Sequence, residues 1–375
     1  MRVTARGWGM LIAGLLLGAM AAAMQSLTLA RLAAVVLAIP LAALAWSFLS
    51  RAFARRRGLE RKLTPTTWQV DAPGSVELVP TGAKQPPWAS LRERVPASLR
   101  RRSHSRFGYG VLPEARGRHT LGPAILQRSD PLAISSWRTP IGQPTGVLVW
   151  PRTEQIDGEV LARALEASAP VAVGTPQRMI EDLTVREYRR GDDLHRVHWR
   201  STARQGELMV RHDEPTTTRV LDMLLVLSAH EDDITEWAVS AAASMTTSLL
   251  EASYAVRVVT VVGGQLVEAS ARSTADALDV FALASPAGET GIDAVRSVQR
   301  STAAGVIAVL DRPDPVVGAA VVASGGLEVS TALVIDPTGA ASDLVDGLER
   351  SGWLVATSPG TGSISDAWRT REVSR

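Results

Sequence analysis

A chain of 375 residues has room for about two domains at the usual ~100–200 residues each, so one small fold does not account for it. With no cysteine, it excludes disulfides, thiolate nucleophiles and thiolate zinc sites. The net charge is only +2, and Lys62 and Lys84 are the only lysines, so its richness in arginine alone says little about nucleic acid.

In chain order, residues 7–24, GWGMLIAGLLLGAMAAAM, carry no charge. After the polar break QSLTLAR a second uncharged run covers residues 32–50. Each is close to the roughly 17–25 residues a helix needs to cross the hydrocarbon core, whereas a signal peptide would have one shorter apolar region and a cleavage site. Two transmembrane helices are predicted, with Pro40 kinking the second without breaking it. Arg2 and Arg6 precede the first span, RAFARRRGLERK (residues 51–62) follows the second, and only Arg31 lies between them. The positive-inside rule then predicts a two-pass protein of the cell membrane with both termini and the soluble part in the cytoplasm. The basic run reads as a topology determinant, or alternatively as a contact for anionic headgroups.

Residues 63–152 are rich in Pro, Gly and short alternating runs, and predict a small β-rich, sandwich-like domain. Within it, residues 91–106 carry Arg92, Arg94, Arg100, Arg101, Arg102 and Arg106. They read as a basic surface loop, or as a docking patch for an acidic partner or a membrane. Residues 153–219 form a connecting segment. Over residues 220–357 the runs VLDMLLVLS, VRVVTVV, GVIAVLD and TALVID read as buried strands, separated by helical stretches such as ITEWAVSAAASMTTSLLEA. This alternation predicts an α/β domain with a mostly parallel, Rossmann-like sheet covered on both faces. Sites in such sheets form beyond the carboxyl ends of the strands, here at Ser228, Asp311 and Asp336. The tail, residues 358–375, is expected to be mobile.

Nucleotide-binding signatures are missing, with neither G-x-x-x-x-G-K-[ST] nor a post-strand G-x-G-x-x-G, and no G-x-S-x-G elbow marks a hydrolase. The densest cluster of reactive residue types is REYRRGDDLHRVHWRSTARQGELMVRHDE, residues 186–214. Its His195, His198, His212 and Asp213 lack the helical H-E-x-x-H arrangement of a metal site. Its arginines are interleaved with Glu187, Asp192, Asp193, Glu207, Asp213 and Glu214, which leaves little net field for phosphate. The pattern reads as a turn at Gly191, a helix capped by Asp192 or Asp193 and anchored by Val197 and Trp199, and then a strand. The guanidinium groups would pair with carboxylates and backbone carbonyls, leaving an exposed rim for a partner.

These residues also carry a family resemblance. Arg186, Tyr188, Gly191, Asp192, Arg196, His198, Trp199, Ala203, Arg204 and Arg211 resemble the signature of the bacterial domain-of-unknown-function 58 family. EARGRHTLGP (residues 114–123), RSDPLAI (128–134) and VWPR (149–152) resemble its upstream segments. The resemblance implies a membrane-anchored protein with a von Willebrand A-like C-terminal half, working with a MoxR-type AAA+ ATPase and other membrane proteins. It also implies a metal motif at the end of the first strand of that half. Ser228, His230 and Asp232 stand where Asp, Ser and Ser belong, and Asp311 stands at the later aspartate position. The leading carboxylate is missing, so a metal-free, degenerate domain is expected there and a weak magnesium site is disfavoured. The resulting expectation is a scaffold or adaptor in the maturation of protein complexes or in cell-envelope processes. It has no catalytic residue, no cofactor and no nucleic acid among its partners, and the bilayer is one of them. The enzymatic alternative is an envelope-associated hydrolase using Asp192, His195 and His198.

Overall fold

The computed structural model describes residues 2–54, 58–81, 89–105, 107–156, 185–187, 202, 206–207, 209–211, 220–324 and 329–369. The chain divides into two compact units, Met1–Arg152 and Thr153–Arg375.

The first unit begins with a short strand, β1 (Arg2–Val3), followed by α1 (Ala5–Ala23) and α2 (Leu27–Ala54). Thr4 caps α1 by accepting from the Gly7 N–H at 3.2 Å. The helices form a tight hairpin. Gln25 takes a left-handed φ of 46°, and Ser26 Oγ accepts from the Leu29 N–H at 3.4 Å. The polar break expected over residues 25–31 is therefore shorter, because a serine at the turn lets Leu27 begin the next helix. Pro40 lies inside α2, which continues through it. The helices pack through small residues. A Cβ at Gly14 would lie 2.7 Å from Leu37 Cδ2, so glycine is what allows this approach. Their outer surfaces are apolar and exposed, and both helices are long and apolar enough to cross a membrane.

A β-rich body follows, made of β2 (Leu59–Thr64), β3 (Trp68–Gln69), β4 (Gly74–Pro80), β5 (Ala89–Glu93), β6 (Leu99–Ser105), β7 (Gly108–Pro113), β8 (Gly117–Leu121), β9 (Ala124–Ser129), β10 (Ser135–Ile141) and β11 (Thr145–Trp150). They form sheets ordered β1-β10-β9-β5, β2-β4-β7-β6 and β3-β11-β8. Alternation supplies the core. In β10, for example, Ser135, Trp137, Thr139 and Ile141 point inward. Trp68, Leu91, Val111, Leu126 and Trp137 lie in one cluster. Two expectations need correction. Arg61 and Lys62, at the end of the basic run, belong to β2, where the alternation of LERKLT turns Leu59, Arg61 and Leu63 to the more buried side. The basic stretch at residues 91–106 is largely β5 and β6 and not a loop. Its Arg101 donates to the Glu93 carbonyl at 2.7 Å and lies 4.9 Å over the Tyr109 ring. Arg100 pairs with Glu114 at 3.0 Å. Arg106 lies outside the described residues.

The second unit opens with a two-stranded ladder, β12 (Val185–Glu187) against β13 (Met209–Arg211). Next come β14 (Val220–Val226), α3 (Asp233–Glu251), β15 (Ala255–Val262), β16 (Gln265–Ala271), α4 (Thr274–Leu283), α5 (Thr290–Gln299), β17 (Gly305–Asp311), α6 (Pro315–Val322), β18 (Val329–Ile335), α7 (Ser342–Arg350), β19 (Leu354–Ser358) and α8 (Ile364–Arg369). The sheet runs β16-β15-β14-β17-β18-β19 and is parallel except for β16 at one edge. Buried valines, leucines and alanines fill both faces, as a doubly covered sheet requires. On one face α5, α6 and α7 contribute Val295, Val321 and Leu348. Register between β14 and β15 is braced by Asp222, fully buried, which accepts from Arg257 at 2.8 and 2.6 Å. Arg257 in turn reaches Glu268 at 2.9 Å.

The C-terminal tail corrects another expectation. Instead of hanging free after Ser358, it forms α8, whose start is held by Glu154. That carboxylate accepts from the Ile364 N–H at 2.8 Å and from Ser365 Oγ at 3.0 Å, and it also bonds Ser363 Oγ. Residues 370–375 lie outside the described part.

Candidate functional site

The candidate site sits where β14 and β17 lie side by side and their following segments diverge, at the carboxyl ends of the sheet. It is built by short-range rules. After β14 the chain leaves the sheet at Ser228, and Asp232 caps α3 by accepting from the Thr235 N–H at 3.0 Å. That cap places the Thr235 hydroxyl under the end of β17. The last residue of β17 is Asp311, with no exposed surface. A buried carboxylate must be satisfied, and this one is. Asp311 Oδ2 accepts from Ser228 Oγ at 2.8 Å and from the Ser228 N–H at 3.3 Å, and lies 2.8 Å from Thr235 Oγ1.

Arg312 closes the arrangement. Its Nε donates to Asp311 Oδ1 at 2.8 Å, its two terminal nitrogens clasp Asp232 at 2.7 and 2.9 Å, and one of them also donates to Thr235 Oγ1 at 2.8 Å. Its backbone adopts a φ of +43°, a left-handed conformation that costs a non-glycine residue about 1–3 kcal/mol unless surrounding contacts hold it. Here the bonds to Asp232, Asp311 and Thr235 do so. Bonds to Asp232 and then Asp311 raise the Arg312 pKa further above its already high value. Reciprocally, the Arg312 hydrogen bond, followed by the Thr235 N–H, holds the Asp232 carboxyl well below the ordinary aspartate value of 3.8.

The sign of the linkage follows. A carboxyl whose folded-state pKa is depressed contributes stability that is complete above 3.8 and is lost as the pH falls through that value toward the folded one. The contribution is modest because the Asp232 side chain is 42% exposed and screened. Acid titration of the full chain, followed by thermal melting between about pH 5 and 2, should show stability falling with pH, and an Arg312→Ala variant should lose less of it over the same range. Equal slopes would mean that the Asp232–Arg312 bond contributes nothing in solution.

Beside this cluster lies an open pocket of about 540 Å³. Its apolar wall includes Val226, Ala287, Ile292 and Val317, and its rim carries His230, Glu289, Asp314 and Val316. Val316 is 61% exposed, an unusual degree for a valine at the mouth of a concavity. Asp314 has a structural duty as well, capping α6 through the Val316 N–H at 2.8 Å.

Of the residues expected from sequence, Ser228, Asp232 and Asp311 meet here. His230 contributes mainly backbone, its N–H lying 3.4 Å from Ser228 Oγ and its carbonyl 2.8 Å from Thr235 Oγ1. Asp336, also at a strand end, is spent on its own turn, accepting from Thr338, Gly339 and Ala341. Burial works to raise its pKa, but the Ala341 and Thr338 donors prevail and hold it low. Sequence reasoning missed Arg312 and Thr235. The signal for Arg312 was an arginine directly following a strand-end aspartate, and for Thr235 a hydroxyl in the first turn after a capping aspartate. Among the described residues no His, Asp and Glu side chains group as a cation's ligand set. Of the signature residues, Arg186 and Arg211 lie on the paired strands β12 and β13, in the register Arg186 to Val210 and Val185 to Arg211. Tyr188, Gly191, Asp192, His195, Arg196, His198, Trp199 and Arg204 lie outside the described residues.

The model of a family described as protein of unknown function DUF58 matches residues 184–277. No curated protein and no solved structure matches the chain. The matched segment runs from the signature ladder through β14, α3, β15 and β16, and so contains Ser228, Asp232 and Thr235 but not Asp311 or Arg312. Over this segment the chain is similar to the DUF58 family.

Proposed function

We propose that this protein is a membrane-anchored adaptor whose second unit is a von Willebrand A-like binding module, with the Arg312 guanidinium standing where a divalent ion would otherwise bind. The observation that carries the reading is the commitment of Asp232 and Asp311 to Arg312, directly beside an open pocket. Counting strands from β14, the sheet order is third, second, first, fourth, fifth, sixth, with the third antiparallel. A doubly wound sheet of that order places its binding crevice at the switch between the first and fourth strands, which is where the pocket lies. An internal cation makes the module's shape independent of metal supply, and leaves the apolar wall and exposed Val316 as the recognition surface.

The anchor in this reading is the α1–α2 hairpin, crossing the cell membrane twice with the arginine-rich ends in the cytoplasm. The family resemblance points to a MoxR-type AAA+ ATPase as the partner, and to binding in place of catalysis as the activity. Tagged full-length protein isolated from its own host in mild detergent should bring down that ATPase with a nucleotide-dependent yield. Val316→Glu, which adds a charge to an exposed position without touching the core, should reduce the yield at least fivefold, by the cost of desolvating a charge in an apolar contact. Recovery of no such ATPase defeats the partner assignment, and undiminished recovery by Val316→Glu defeats the pocket as its docking site.

A further inference from the structure

The β9–β10 turn, residues 130–134, sits at the base of the helical hairpin, where it is bonded to the start of α1 while β10 directly after it is bonded to α2. Thr4 Oγ1 lies 2.7 Å from the Ala133 carbonyl and 2.9 Å from that of Ile134, and the Thr4 N–H donates to the latter at 2.9 Å. A Cβ at Gly7 would lie 2.5 Å from the Ile134 oxygen, so the first turn of α1 rests against the backbone of this turn. From α2, Ser47 Oγ lies 2.6 Å from Ser135 Oγ, and Ser50 Oγ accepts from Trp137 Nε1 at 3.1 Å. β1 adds to the edge of β10, with Arg2 opposite Ser136.

The turn is built to hold its tip outward. The buried Asp130 carboxylate accepts from the Leu132 N–H at 2.9 Å, from Ser135 Oγ at 3.0 Å and from the Ser135 N–H, and Ala133 takes a φ of +56°. Leu132 is consequently 58% exposed at the tip, next to exposed Pro131, where a turn facing water would normally carry a polar residue. The exposed apolar surface of the helices extends down to this same level. Trp8 follows Gly7, and Phe48, 73% exposed, follows Ser47. Exposed Arg2 and Arg6 flank the junction.

We propose that the Pro131–Leu132 tip is seated in the lipid interface, so that the β-rich body is itself a membrane-contacting element held against anionic headgroups by Arg2 and Arg6. The inference rests on reading α1 and α2 as membrane spans. Continuity with the apolar surface of the spans selects lipid as the occupant, because a leucine at the level of Trp8 and Phe48 meets the boundary where headgroups and acyl chains mix.

The chain has no cysteine, so a single Leu132→Cys substitution gives one labelling position. Full-length protein carrying a nitroxide there is reconstituted into vesicles of equimolar phosphatidylcholine and phosphatidylglycerol. Its accessibility to oxygen, which concentrates in lipid, is compared with that to a water-soluble nickel chelate. Leu15→Cys, at an exposed position in the middle of α1, reports the span itself. The expected result is an oxygen-to-nickel ratio at Leu132→Cys several-fold above that of a free water-soluble nitroxide measured with unlabelled vesicles of the same protein, and below that at Leu15→Cys. A lipid-like ratio at Leu15→Cys with a water-like ratio at Leu132→Cys overturns the proposal and leaves the spans standing. A water-like ratio at both positions overturns the span reading and the proposal with it. Exclusion of both reagents at Leu132→Cys would place protein on the turn and also overturns it.

Discussion

Replacing Arg312 with alanine is expected to lower the melting temperature of the second unit by roughly 5–10 °C and to create a stabilising response to magnesium that the parent chain lacks. The estimate starts from the fully buried Asp311 and the bidentate Asp232 bond. Removing one partner of a buried ion pair costs about 3–5 kcal/mol. Here Ser228 and Thr235 still donate to Asp311, and the Asp232 side chain is partly solvated, so about 2–3 kcal/mol is the fitting figure. Loss of the guanidinium leaves two carboxylates and the Thr235 hydroxyl converging on the vacated volume, which is hard-oxygen chemistry suited to a divalent cation. Scanning calorimetry with and without magnesium checks both halves. An unchanged melting temperature would show that Arg312 is an ornament of the surface. A magnesium response of equal size in parent and variant would show that the cation binds elsewhere. Arg312→Lys should fall between the two, because one ammonium cannot span Asp232 and Asp311 in the way a planar fork does.

The second large effect belongs to the first unit. Glu93 is buried in β5, with its Oε1 accepting from Arg61 Nε at 2.8 Å and from the neighbouring terminal nitrogen at 2.5 Å, and its Oε2 accepting from Tyr109 Oη at 2.7 Å. Arg61 is buried as well, and also donates to the Gln143 carbonyl and Thr145 Oγ1. Burial first, and then the bond to Glu93, push the Tyr109 hydroxyl well above its usual pKa, so it remains a donor at any ordinary pH. Glu93→Ala should cost about 3–5 kcal/mol, since it strands a guanidinium and a phenol away from water. Tyr109→Phe should cost only about 1.5–3 kcal/mol, the worth of one hydrogen bond to a charged group. Denaturant unfolding of the two single variants and the double variant would show strong coupling. Additive losses would mean that the two side chains do not share one network.

What could be read in the sequence was whatever repeats or accumulates along it. The uncharged runs gave both helices, and the alternation of β and α gave the parallel sheet with its strand ends at Ser228, Asp311 and Asp336. The family signature was also legible, although most of its residues lie outside the described part. Less legible was anything depending on one charged residue's choice of partner. Arg61 and Arg101 looked like members of surface clusters because charge counts along a chain carry no direction. In the fold, strand alternation turns Arg61 toward Glu93, and Arg101 stacks on Tyr109. The tail past Ser358 looked free because its anchor, Glu154, lies about two hundred residues earlier.

By itself the sequence determined the two apolar helices, the division into a β-rich and an α/β part, and the similarity of residues 184–277 to the DUF58 family, since each rests on local composition, period or motif. Only the tertiary structure decided that Arg312 fills the place between Asp232 and Asp311, and that the β9–β10 turn rests on the base of the helices. Both are contacts between residues some 80 or more positions apart, Asp232 with Arg312 and Thr4 with Ala133. A pairing of that range is set by which strands lie side by side and which end of a helix meets them, and no local pattern encodes it.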